Sequence, residues 1–319
     1  MRMIPELPEA VPAEPVVPSP ALPGPHAVAW ARRRRAMAEI WLAFRRNRQA
    51  MVGFVILVAI AAMALLAPVL ANEEALRAVN TVDNPPWASP SREFLFGTDN
   101  LGRSVAVQFV FGARISLLVG LFATVLTIVI GTLVGVVAGF FGGWTESALM
   151  RLTDWFLVIP FLPLAIVLAR ILGPSVWNII FVIGITTWPY VSRLVRAQVL
   201  TVKQRLYVER ARAMGASRWH VVRRHILPNV GPVILANTTL TVPIAILTET
   251  TLAFLGLGDP TRASWGKTLQ EAYDAGAITR NAWWYYLPAG IGIVVVVLAF
   301  TMVGRALEEI LDPRLRERR

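Results

Sequence analysis

Gly266, Lys267 and Thr268 spell the end of a phosphate-binding loop, but such a loop needs an earlier glycine at the place held by Thr261. No strand pattern precedes them, so the segment has no nucleotide chemistry. His26, His220 and His225 lie in a proline-rich tail or an arginine-rich loop, with no HExxH pattern or carboxylate cluster, and give no metal site. The absence of cysteine excludes disulfides, thiolate metal ligands and a cysteine nucleophile. Glu249 is different, because it falls well inside an apolar segment, where a carboxylate is a functional-site hypothesis by default. Two roles stand side by side for it: a pore-lining group, or an interfacial residue hydrogen-bonded to a neighbouring helix. Asp154, Arg170 and Arg305 sit nearer the ends of their apolar segments.

The most informative stretch is polar. Residues Tyr207 to Asn229 read YVERARAMGASRWHVVRRHILPN. Glu209 to Met214 are helix formers, Gly215 is placed for a left-handed stop, Ser217 can cap a second helix, and Pro228 is expected to end that one. The pattern predicts helix, sharp turn, helix, protruding between two apolar segments. A basic loop with a turn is ordinary. Glu-x-Ala-x-x-x-Gly followed by Ile226, Leu227 and Pro228 is much less so.

The elements that position these residues follow from hydropathy. With 55% hydrophobic residues, 16% charged residues and a mean hydropathy of +0.57, the chain is too apolar for an ordinary soluble domain. Crossing about 30 Å of hydrocarbon takes roughly 20 helical residues. Six segments qualify: Met51 to Leu70, Ile115 to Phe140, Ala148 to Leu172, Val176 to Val195, Val230 to Phe254 and Tyr285 to Met302. The fold class is therefore an all-α membrane protein with about six transmembrane helices. Residues 1–29 carry a proline every few positions and no apolar periodicity, which reads as a disordered tail. Residues 30–50 combine Arg32 to Arg35 with Met37, Ile40, Trp41 and Phe44 at helical spacing, which reads either as an amphipathic helix on the cytoplasmic membrane face or as a positive flank of the first span.

Arginine sets the orientation. It crowds residues 32–48, 193–224 and 314–319, which belong inside, whereas 71–114 and 257–284 mix acidic and basic residues and belong outside. Six spans then close with both termini cytoplasmic, and the net charge of +11 requires no nucleic-acid partner. Trp283, Trp284, Tyr285 and Tyr286 would form an aromatic anchor at the outer interface. Gly131, Gly135 and Gly139 recur every four residues on one face of the second span, a surface for close helix packing.

The 207–229 stretch resembles the EAA loop of permease subunits in bacterial binding-protein-dependent ABC importers, in which the first helix docks into a groove on the ATPase. LFGTDNLGRS at 95–104, GARISLL at 112–118 and LGLGDPTRASWG at 255–266 are similar to patterns of the dipeptide, oligopeptide and nickel permease family, in its C-type subunit. The resemblance runs from about Ala36 to the end. It implies a type I ABC importer permease architecture, with a core domain over 115–310, a coupling loop at 203–228 and a basic tail at 311–319. Carried over by position, Glu209, Ala211 and Gly215 form the ATPase-coupling element, with Ala213 and Ala216 beside them. Arg210 stands where the family usually has a small alanine, which implies an acidic complement on the partner. Ser104 follows Arg103 where an aspartate is common, and Asp99 and Arg103, four apart, would pair if helical.

The same resemblance implies the partners: a homologous second permease, two ATPase subunits carrying ATP and Mg, an extracytoplasmic solute-binding protein and membrane lipid. No cofactor is expected on this chain, and no residue in it is expected to break a bond. The cargo is expected to be dipeptides or oligopeptides, with glutathione-like peptides and nickel chelates behind. Two rivals come from other classes. An ion-driven secondary transporter should show paired broken helices and several intramembrane carboxylates; a scaffold should bind partners without any substrate-dependent ATPase signal.

Overall fold

The computed structural model describes residues 25–311; the sequence-stretch 1–24, most of the expected tail, and 312–319, nearly all of the basic tail, lie outside the described residues. The elements are α1 (Pro25–Arg46), α2 (Arg48–Leu65), α3 (Ala67–Leu70), α4 (Val105–Phe141), α5 (Gly143–Val158), α6 (Phe161–Leu172), α7 (Val176–Lys203), α8 (Leu206–Ala213), α9 (Arg218–Val221), α10 (Leu227–Phe254), α11 (Trp265–Asp274) and α12 (Trp283–Leu311). Two single-turn helices occupy Glu73–Leu76 and Ala78–Thr81, and a π-helical turn joins α9 to α10.

The helix at the start begins at Pro25 rather than at residue 30. It stops at Asn47, whose side chain accepts from the Ala50 amide (3.1 Å) and caps α2, so the expected 30–50 helix is two elements. Within 25–41, Arg34 stacks over Trp30 at 4.5 Å, and Trp30, Met37 and Trp41 are exposed.

Among the described residues, five helices are long and apolar enough to span a membrane, or six if α5 and α6 together make one span. That pair corrects the expectation of a single helix from Ala148 to Leu172, because α5 and α6 meet at 90°. The cause is local. Proline disfavours helical geometry in the residue before it, and Ile159 is extended (ψ 126°) where the chain enters Pro160. Pro163 then sits in the first turn of α6, where no amide is missed.

Pro228 is the second correction: it does not end a helix. From Arg218 to Phe254 the chain is one continuous helical stretch. The Leu227 amide reaches back five residues to the Val222 carbonyl, and this π turn adds the extra residue that lets the ladder pass through a proline lacking an N–H. Pro228 occupies the start of α10.

α4 and α7 form the most extensive helix pair, and α10 and α12 pack beside α4. The seam is the glycine stripe. A Cβ on Gly131 would lie 2.6 Å from Val191 Cβ, on Gly135 2.6 Å from the Ser192 carbonyl, and on Gly139 2.9 Å from Val199 Cβ. Val191, Val195 and Val199 recur every four residues on α7, matching the glycine period on α4. Neighbouring lipid is as apolar as a leucine, so helices here associate through close packing rather than through water exclusion. Replacing Gly135 with leucine is expected to cost about 3 kcal/mol, the upper end of overpacking, since the obstructing atom is a backbone carbonyl. Thermal unfolding in detergent checks this against Gly290→Leu, where nothing lies within 4 Å and no loss is expected.

Candidate functional site

At one end of the bundle, α8 and α9 make the protruding hairpin. Helix α8 stops in the two-bond pattern of a left-handed cap: the Gly215 amide donates to the Arg212 carbonyl (2.9 Å) and the Ala216 amide to the Ala211 carbonyl (3.1 Å). Gly215 has φ +82° with no atom within 4 Å of a would-be Cβ, so backbone conformation, not space, selects glycine. Ser217 then caps α9, accepting from the His220 amide at 3.3 Å.

The hairpin has two faces. Val208, Val221, Val222 and Ile226 are buried with Val136, Val195, Val199 and Val202, which fixes the hairpin to the ends of α4 and α7, and Ala211 is buried as well. Ala216 is half-buried against the same cluster. Glu209, Arg210, Ala213 and Gly215 are exposed, as are Leu206, Met214 and Trp219, Met214 at 82%. Of the five residues assigned to coupling, the structure therefore places Glu209, Ala213 and Gly215 at the surface, buries Ala211 and sets Ala216 against the bundle. A solvent-facing apolar group of this kind, rimmed by charge and mounted on a rigid base, marks a contact surface.

At the opposite end lies a buried polar network. The Asp99 carboxylate is fully buried. It accepts from the Leu101 and Arg103 amides (both 2.8 Å), from Arg103 Nε (2.6 Å) and from Gln108 Nε2 (2.7 Å). Arg103 Nη2 donates to Glu271 on α11 (2.6 Å). Asp99 and Arg103 thus pair, but in a buried turn rather than an exposed helix, because Asp99 folds back onto its own loop. Burial alone would lower the Arg103 pKa, yet the facing carboxylates of Glu271 and Asp99 outweigh it and hold the guanidinium above its ordinary value. A cleft of about 440 Å³ opens beside this network, lined by Glu73, Glu74, Arg77, Arg103, Lys267 and Glu271 among others.

Glu249 belongs to the same end. It is 2% exposed and accepts from Ser116 Oγ on α4 at 2.9 Å, with Ser264 as a second hydroxyl partner. The Trp265 amide donates to Ser116 Oγ (3.4 Å), and Trp265 Nε1 donates to the Phe109 carbonyl (2.9 Å). The geometry is that of an interfacial carboxylate joining α4, α10 and the start of α11. Gly266 is glycine because a Cβ there would meet the Thr250 carbonyl at 2.6 Å, and Lys267 donates to the Pro260 carbonyl (2.5 Å). The phosphate-loop fragment is thus a packing contact.

The aromatic anchor is also different from expectation. Trp283 is exposed, but Tyr285 is fully buried, edge-on to Trp87 at 6.2 Å, and Trp284 Nε1 donates to the Thr98 carbonyl (3.3 Å). These rings hold down the loop that precedes α4 instead. Sequence reading missed Gln108 and Glu271; the only trace of the latter is its place four residues after Lys267 on a helix.

These features define a multi-pass α-helical membrane protein whose bundle carries a fixed hairpin between two spans. Comparison with known proteins narrows the class. The chain belongs to the family described as binding-protein-dependent transport system inner membrane component, whose model matches residues 131–317. A second model, the N-terminal TM domain of oligopeptide transport permease C, matches residues 36–86. The chain is similar to the oligopeptide transport system permease protein OppC of Bacillus subtilis, 39% identical over 278 residues that cover 86% of this chain and 89% of the relative. It is 37% identical over 279 residues to the dipeptide transport system permease protein DppC of the same organism, covering 87% and 86%. A putative peptide permease protein of Brucella suis is 37% identical over 276 residues, covering 85% and 89%.

Proposed function

We propose that this chain is one of two homologous permease subunits of an ATP-driven importer for dipeptides or oligopeptides, seated in a bacterial inner membrane with both termini cytoplasmic. The observation that carries the reading is the hairpin. Its exposed edge offers Glu209, Ala213 and Met214 to a partner, while its buried edge is continuous with the packing of α4 and α7. A push on α8 is therefore transmitted to the spans that line the pathway. Ala211 and Ala216 keep the hairpin close to the bundle. ATP and Mg are held by two separate ATPase subunits, a solute-binding protein delivers the peptide at the opposite end, and this chain breaks no bond and carries no cofactor. Nucleotide binding biases the assembly between two accesses because the ATPases grip the two states differently.

The test is purification of the tagged chain in mild detergent from its host, with the accompanying subunits identified by mass spectrometry. A second permease and two phosphate-loop ATPases are expected, with the ATPases lost from a Gly215→Val variant that still inserts. A chain that purifies alone and moves solute on an ion gradient would overturn the reading.

A further inference from the structure

A cleft of about 390 Å³ lies between the hairpin and the end of α4, lined by Phe140, Phe141, Lys203, Arg212, Ala216 and Arg218 among others. We infer that this cleft binds the phosphate of an anionic phospholipid headgroup. Three cations line it and no carboxylate does, and among the described residues none of the three forms an ion pair. Glu146, close by at the start of α5, is paired with Arg196. Lys203 Nζ donates to the Gly139 carbonyl (3.2 Å), which holds the ammonium at the C-terminal end of α4 and leaves its other two protons free. The Arg212 guanidinium lies over the Phe140 ring at 5.1 Å, a contact that holds this cation beside the cleft. Two positioned cations and Arg218 at the rim form a preorganised oxyanion cradle.

Depth selects the source of the phosphate. The chain carries no charge from Ile115 through Phe141, about 40 Å of helix against about 30 Å of hydrocarbon, so α4 ends at headgroup level. Trp144, 85% exposed just beyond it, is an interfacial residue at the same level. Phe141 is 46% exposed beside the cations, an apolar rim for an acyl chain that a free phosphate would leave unused. Basic pockets at the edge of a helical bundle recognise headgroups in this way. The inference does not depend on the transported solute or on which ATPase docks.

The test uses the full chain, with the subunits that accompany it, in nanodiscs of equal parts phosphatidylglycerol and phosphatidylcholine. Native mass spectrometry after delipidation counts retained lipid. The unmodified protein should keep phosphatidylglycerol several-fold over phosphatidylcholine; Lys203→Gln/Arg218→Gln should lose that preference and Lys203→Arg/Arg218→Lys should keep it. Equal retention of the two lipids by the unmodified protein overturns the inference whatever the variants do. So does full displacement of phosphatidylglycerol by millimolar inorganic phosphate, which would identify a soluble anion as the occupant. Unchanged lipid preference in the Gln variant together with loss of the ATPases would assign the cleft to a protein partner instead.

Discussion

Replacing Glu209 with lysine is expected to abolish peptide uptake and the solute-stimulated ATP hydrolysis of the assembled complex, while the chain still inserts and accumulates in the membrane. The two halves of that expectation have separate grounds. Glu209 is exposed in the first turn of α8 and has no ion-pair partner among the described residues. Its loss to the fold is the favourable term of a carboxylate near a helix N-terminus, about 0.3–1 kcal/mol, too little to unfold a polytopic bundle. At a docking surface, by contrast, reversing a charge sets like against like and costs several kcal/mol. Uptake of a labelled dipeptide by cells, and ATPase assays in proteoliposomes with and without binding protein, check it. Glu209→Gln should retain more activity than Glu209→Lys, since it removes a charge without introducing repulsion. Normal uptake by Glu209→Lys would remove Glu209 from the coupling surface.

The hairpin was legible because every signal in it is local. Gly215 and Ser217 announce their own backbone roles, and the glycine period at 131, 135 and 139 marks a packing seam whatever lies across it. The spans were legible for a similar reason, since hydropathy is a sum over neighbours. What hydropathy does not encode is direction. It reads straight across Pro160, although the chain turns by 90° there, and it does not separate a proline that stops a helix from Pro228, which a π turn absorbs. The buried polar network was least legible, because its bonds join residues far apart in sequence, Arg103 with Glu271 and Ser116 with Glu249. Asp99 and Arg103 could be paired by spacing alone, but their burial could not, and burial is what changes the energetics of the pair. Only the partner segment, brought in by the packing of α11 on α4 and α12, supplies it.

That burial underlies the second large effect. Arg103→Ala is expected to destabilise the chain by about 3 kcal/mol, near the lower end of what removing one partner of a buried ion pair costs. The side chain is 14% exposed and bridges Asp99, at 0%, to Glu271, at 29%. After truncation Asp99 keeps the Gln108 amide and two backbone donors, and Glu271 keeps Lys267 at 3.7 Å. The residual donors moderate the loss, and the remaining cost is a buried carboxylate with no facing positive charge. Because Arg103 has a pKa raised above the ordinary arginine value in the folded chain, its contribution is fully present at every pH below that ordinary value, so the stabilisation by this guanidinium should not vary across neutral pH. Arg103→Lys should recover only part of the loss, since one ammonium cannot reproduce the fork that meets two carboxylates from different elements. Thermal unfolding of the three proteins in the same detergent measures the ordering. Hydrogen exchange then locates it: protection should fall over residues 97–108 and α11 and remain unchanged over α8 and α9, at the other end of the bundle. Equal stability of Arg103→Ala and the unmodified chain would mean that the loop is held by its backbone bonds and by the Trp87, Trp284 and Tyr285 rings alone.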